Sequence, residues 1–209
     1  MKRSGIFFPY PLGKRLRDFP QALEGILEKE NVLYYDARYN HQEGSSYLYP
    51  IPEELLAEVH SKEMIERVKH YGDFEGALWS ASGTVQASEL IFENKIDNAF
   101  VFTGYGDHHA GRDFYGGGCY LNSAAIAIAN ARKKYGADRF AIVDTDPHHG
   151  EGTWDLFKED PNVLSICFCV TANQTNQNNN IDVLIPWNLN NQKYLAIVRG
   201  HTEKEGKID

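Results

Sequence analysis

F-A-I-V-D-T-D-P-H-H-G-E-G, from Phe140 to Gly152, is the stretch that decides how this chain is organised. It opens as a short apolar run, which reads as a strand buried on both faces. It then breaks into Asp144, Asp146, His148, His149 and Glu151, five ionisable groups within eight residues. Charge at the end of a buried strand is costly unless each group finds a partner. Asp144 and Asp146 leave the strand on the same side, as residues i and i+2 do. Pro147 turns the chain, and Gly150 and Gly152 permit tight backbone geometry around the histidines. Carboxylate oxygen and imidazole nitrogen converging at a strand end suit a zinc-like divalent ion.

A second histidine pair lies upstream. Ala99 to Phe102 is another short apolar strand, and it runs into T-G-Y-G-D-H-H-A, Thr103 to Ala110. Taken alone, His108-His109 reads equally well as an exposed loop pair. Short strands also fall at Val32 to Tyr35 and Val163 to Phe168; Gly5 to Pro11 is a brief apolar piece followed by turn residues, and Ile181 to Pro186 and Lys193 to Val198 resume apolar character. Helical spacing covers Asp18 to Lys29, Glu53 to Val59, Lys62 to His70 with Ser61 as N-cap, and Gly83 to Asn94 with Val85, Ala87, Ser88 and Ile91 inward. It continues over Ser123 to Lys134, which Gly136 closes, and Thr153 to Lys158. Residues 36 to 52 and Thr171 to Asn180 read as polar loops, and Gly200 to Asp209 as a loose charged end. Helices alternating with apolar strands indicate an α/β fold with a doubly wound, mainly parallel sheet, in one domain over residues 1–209. Ligands in such sheets sit at the carboxyl ends of the strands. Both histidine pairs lie there and can share one site.

Composition narrows the partners. The chain has 209 residues and a formal net charge of −8, which disfavours nucleic acid; the basic cluster Lys14, Arg15, Arg17 reads as a solvated loop. The N-terminal stretch is too short in apolar residues for a signal peptide or a membrane span. Three cysteines, Cys119, Cys167 and Cys169, suggest a reduced, cytoplasmic protein. Cys167 and Cys169 could bind metal, although paired strand cysteines more often pack as core. His60 reads as structural, and His41 and His70 carry no neighbouring signal.

A metal with extra histidines and carboxylates points to hydrolysis by metal-activated water, with a histidine moving the proton to a leaving amine. Carboxylates behind the histidines would fix their tautomers. Deacylation or deamidation is the natural reaction class.

D-H-H-A at 107–110, G-G-C-Y-L-N at 117–122 and D-T-D-P-H-H-G-E-G at 144–152, with V-H-S-K-E-M-I-E from Val59, resemble the histone deacetylase family. That family of zinc amidohydrolases includes acetylpolyamine amidohydrolases and acetoin-utilisation proteins. The resemblance covers most of the chain and implies an arginase/deacetylase-like fold and an acetylated lysine or polyamine as substrate. It implies Asp146 and His148 as metal ligands and His109 as general base. His108 is then the electrostatic partner, with Asp144 behind it and Glu151 behind His109. A structural potassium is implied around Asp144, Asp146, His148, Cys167 and Phe168. Gly117 and Gly118 would border the substrate channel, and His149 would be structural.

Several positions depart from the family pattern. Glu151 stands where family members have aspartate, Cys167 where a serine is usual, Gly118 where an aromatic residue lines the channel, and Asp107 where glycine precedes the histidines. The third metal ligand and a carbonyl-polarising tyrosine are expected further downstream than Asp209; Asp182 lies too early, and Tyr194 matches a structural position. The expectation is therefore a deacetylase-type amidohydrolase truncated at its C-terminal side, or a catalytically impaired chain that keeps the fold for binding or assembly. Uncovered sheet edges would favour a homo-oligomer. A binuclear ureohydrolase is disfavoured by the order of the Asp and His residues.

Overall fold

The computed structural model describes residues 2–9, 25–26, 28–36, 48–171 and 179–205. The strands are β1 (Ser4–Phe8), β2 (Val32–Asp36), β3 (Asn98–Val101), β4 (Phe140–Asp144), β5 (Val163–Cys169) and β6 (Asn180–Leu184). The helices are α1 (Glu53–Leu56), α2 (Lys62–Tyr71), α3 (Phe74–Phe92), α4 (Ser123–Tyr135), α5 (Glu151–Phe157) and α6 (Asn191–Glu205). Among the described residues all strand pairings are parallel, as the alternating pattern requires. They form two three-stranded sheets, β2-β1-β3 and β4-β5-β6, rather than one continuous sheet.

β1 is the centre of the first sheet, with Phe7 in register with Tyr35 and Val101. The Phe7 and Tyr35 rings stack at 4.3 Å. β5 is the centre of the second and is buried along its whole length. One of its faces meets the main core of Leu56, Val85, Leu121, Ile126 and Phe157 through Val163. The other places Leu164, Ile166 and Phe168 against Tyr194, Ile197 and Val198 of α6. Burial of each such side chain contributes roughly 1.5–3 kcal/mol.

β4 corrects the expectation of a strand buried on both faces. Phe140 and Ile142 pack on the core, but Ala141 and Val143 are exposed. α6 packs on β5 and β6 through Tyr194, Ile197 and Val198. β3 likewise leaves Phe100 exposed. Among the described residues, β3 and β4 each have a single strand neighbour.

The caps follow from side-chain chemistry. Ser61 accepts from the Met64 amide, Asp73 from Gly76 and Asn122 from Ala125, each satisfying a helix donor that has no partner within the helix. α4 ends at Gly136, whose φ is 66°. α3 starts nine residues before the Gly83 expected from spacing and leaves Ile91 exposed. It is tied to α4 by the buried Glu89, which accepts from Tyr49 at 2.8 Å and Asn130 at 2.9 Å and pairs with Lys134 at 3.0 Å. α6 runs through Gly200 to Glu205, where a loose end was expected. The helix expected over Asp18 to Lys29 and the two polar loops fall largely outside the described residues, as do Lys14, Arg15, Arg17 and His41. No helix among the described residues is long and apolar enough to cross a membrane.

Candidate functional site

The segment after β4 folds on its own carboxylates. Oδ1 of Asp144 accepts the Asp146 amide at 3.0 Å, and Oδ1 of Asp146 accepts the His148 amide at 2.8 Å. Two successive aspartate turns therefore carry the chain from the strand to the histidines, using the local hydrogen bonding that makes aspartate a turn residue. The other oxygen of Asp144 remains available and lies 2.8 Å from Nδ1 of His108. The loops following β3 and β4 thus meet, although they belong to different sheets.

The next residue repeats the pairing. Nδ1 of His109 lies 2.7 Å from Oε2 of Glu151, in the first turn of α5. The glutamate's extra methylene is accommodated at full hydrogen-bonding distance. The two imidazoles sit side by side with centroids 4.0 Å apart. His108 is buried, and burial opposes its charged form. The bond to Asp144, with the charges of Asp146 and Asp107, outweighs this and raises its pKa above the ordinary value.

Backbone contacts hold the histidine loop to the neighbouring helices. The Thr153 amide donates to the His108 carbonyl at 3.0 Å. A Cβ on Gly152 would lie 2.5 Å from the Ala110 nitrogen and 2.6 Å from its oxygen, so α5 can approach this closely only with glycine there. Gly117, at φ 57°, lies against the His109 ring, and a Cβ there would collide with it. A Cβ on Gly118 would meet nothing within 4 Å. Asp107, the departure next to the histidines, accepts from the Ala124 amide at 3.3 Å in the first turn of α4. Burial is the main reason its carboxyl pKa is raised.

His60 and Asn122 sit beneath the loop. Nδ1 of His60 lies 2.7 Å from the Gly111 carbonyl and must donate to it, while Nε2 accepts from the Asn122 amide at 3.0 Å. The side-chain amide of Asn122 donates to the Ala110 carbonyl at 3.2 Å and to Thr153 Oγ1 at 3.1 Å. Asn122 is the residue that sequence reasoning missed. Its signal was the polar residue closing the glycine-rich turn at a helix start.

Asp146 and His148 are exposed, with 46% and 65% of their side chains accessible, and Oδ1 of Asp146 lies 2.8 Å from Nδ1 of His148. Two hydrogen bonds from His148 hold the Asp146 pKa below its ordinary value although burial opposes this. Oxygen and imidazole donors turned to one point fit half of a four-coordinate zinc-type site. Among the described residues, the group of three or more metal-ligating side chains lies elsewhere, at His149, Cys167, Cys169 and Asp182. Asp182 pairs with His149 at 3.0 Å. Cys167 directs its thiol to the His148 carbonyl at 3.7 Å. Of the side chains expected around a potassium ion, Cys167 offers a thiol where a hard alkali cation prefers oxygen, while Asp144 and Asp146 offer carboxylates. A cavity of about 410 Å³ lined by Glu58, Arg112, Arg132, Phe157 and Lys158 contains none of the paired histidines.

Parallel strands delivering two histidine–carboxylate pairs to one point define an α/β protein with a paired-dyad site. The sequence profile of the histone deacetylase domain matches residues 71–201. The chain belongs to the histone deacetylase family. It is 39% identical over 95 residues to a probable deacetylase of Archaeoglobus fulgidus, covering 46% of this chain and 26% of that protein. It is 41% identical over 88 residues to the acetylpolyamine amidohydrolase of Mycoplana ramosa, covering 42% and 25%. Acetylpolyamine amidohydrolase 1 of Pseudomonas aeruginosa is 36% identical over 115 residues, covering 55% and 33%. The chain therefore spans a quarter to a third of the length of these relatives. The crystal structure of the HDA15 HD domain superposes with a TM-score of 0.68 at 21% identity, over 90% of this chain and 62% of that one, a likeness of fold.

Proposed function

We propose that this chain carries the proton-transfer half of a metal-dependent amidohydrolase site of deacetylase type, acting on an acetylated amine such as an acetylpolyamine or acetyl-lysine. The observation that carries this reading is the pair of dyads, His108–Asp144 at 2.8 Å and His109–Glu151 at 2.7 Å, with rings side by side. A carboxylate on Nδ1 fixes that nitrogen as donor and leaves Nε2 with its lone pair. His109 then takes a proton from the attacking water at Nε2 and returns it to the departing amine. His108, held by Asp144, stabilises the charge that develops beside it. Gly117 and Gly118 form the wall along which the acyl group reaches His109. A zinc-type ion held by Asp146 and His148 would supply Lewis acidity toward the amide carbonyl. The acetylpolyamine amidohydrolases among the relatives support an acetylated amine as substrate. The net charge of −8 favours a cationic one.

The two-donor metal position favours a second reading, a deacetylase-fold chain used for binding or assembly. Acetate release from an N-acetylated diamine by the zinc-supplemented chain separates the two. Hydrolysis that falls about 10²–10⁴-fold in His109→Ala is the expected result. Hydrolysis unchanged in that variant overturns the proton-transfer role, and no hydrolysis by the zinc-loaded parent leaves the binding reading.

A further inference from the structure

β5 and β6 bring together four side chains that the proposed hydrolysis does not use. Cys167 and Cys169 are two residues apart on β5 and therefore point to the same face. Asp182 on β6 stands in register with Cys167. His149 follows the exposed His148 but turns inward, with 7% of its side chain accessible against 65%. One ligating atom from each of His149, Cys167, Cys169 and Asp182 lies within 4.8 Å of every other. All three cysteines of the chain are free.

We propose that His149, Cys167, Cys169 and Asp182 form a buried site for a thiophilic divalent cation of the zinc class, separate from Asp146 and His148. One nitrogen, two sulfurs and one oxygen make a complete four-coordinate set of the kind that closes structural zinc sites, with donors about 3.3–3.8 Å apart once a metal sits among them. The longest observed separation of 4.8 Å therefore needs a contraction of about 1 Å, within reach of rotamer adjustment. The donors come from three places, the turn before α5, β5 and β6, all fixed by sheet register and helix packing, so the site is largely assembled without the ion. A buried imidazole and carboxylate against two thiols is an unfavourable core, and Nε2 of His149 has no hydrogen-bond partner there. A cation offsets that burial and ties β6 to the segment carrying His148. Two sulfurs select zinc-class ions over magnesium, calcium or potassium.

Cobalt(II) titration of the 209-residue chain tests this, because a thiolate-to-cobalt charge-transfer band in the near ultraviolet requires cysteine ligands. Asp146 and His148 cannot produce it. The expected result is a band saturating at one cobalt per chain, retained in His148→Ala and Cys119→Ser and absent in Cys169→Ser. Asp182→Asn, which keeps the side-chain volume, should weaken cobalt binding by more than ~10²-fold. No band from the folded parent chain overturns the site, as does a band that survives in Cys167→Ser and Cys169→Ser. Loss of acetate release with the band intact would count against the hydrolytic reading alone.

Discussion

Asn122 donates its backbone N–H to Nε2 of His60 at 3.0 Å, joining the start of α4 to the segment before α2. With Nδ1 bonded to the Gly111 carbonyl, both ring nitrogens of His60 are engaged in the neutral form. Burial is the main cause that lowers its pKa from 6.5 to about 4.

The sign of the pH effect follows. Above pH 6.5 the imidazole is neutral whether the chain is folded or not. Between pH 6.5 and 4 the unfolded chain takes up a proton that the folded chain refuses, so stability is lost as pH falls. The full loss near pH 4 is about 3 kcal/mol. Urea midpoints measured across this window should fall with acidification in the parent and fall less steeply in His60→Gln. Equal slopes in the two proteins would rule out His60 as the group responsible.

Asn122→Ala should be among the most destabilising single changes near the site. It removes an N-cap, which typically contributes ~1 kcal/mol, and two buried bonds to Ala110 and Thr153. Leaving the Ala110 carbonyl and the Thr153 hydroxyl short of a partner adds the desolvation of buried polar groups, for a total of roughly 2–4 kcal/mol. Equilibrium denaturation reads this directly, and a loss under ~1 kcal/mol would show that water replaces the amide.

The strand–helix alternation, the parallel pairing and the meeting of the two histidine loops were legible in the sequence, because periodicity and strand-end placement carry them. Three features were not. The apolar run at Phe140 looked buried on both faces, yet only the fold reveals that Ala141 and Val143 are exposed. The start of α3 was hidden by Gly76, Ser80, Ser82 and Gly83, small residues with weak helix propensity that are all buried. Asp73, accepting from the Gly76 amide, was the available signal for the true start. Asp182 carries no local mark of its encounter with His149, 33 residues away, because that contact depends on which strand joins β5.

Gly117→Ala should impair turnover more than folding. The left-handed φ of 57° costs an alanine about 1–2 kcal/mol, and the new Cβ would push the His109 ring away from its place beside Glu151. On the proposed function, kcat for an acetylated diamine falls at least ~10-fold, since sub-ångström misplacement of a proton-transfer group is expensive in rate. Bound zinc should be unchanged. Parent-like kcat in the variant would mean that the ring does not depend on this contact.

Glu151 offers a test in which charge and length can be separated. Its carboxylate lies 2.7 Å from Nδ1 of His109, and its position in the first turn of α5 also favours negative charge. Glu151→Gln keeps the length, removes the charge and leaves an amide that can present either oxygen or nitrogen to the ring. Glu151→Asp keeps the charge but draws it back by a methylene. If the carboxylate fixes the His109 tautomer and stabilises its protonated form, Gln lowers kcat by about 10–10²-fold. The Asp variant then falls between Gln and the parent. If the residue serves only as a helix-start acid, the Gln variant loses a stability of roughly 0.3–1 kcal/mol and no turnover, and Asp matches the parent in both. Zinc content measured alongside should stay constant in all three proteins, because Glu151 bonds to His109 and not to Asp146 or His148.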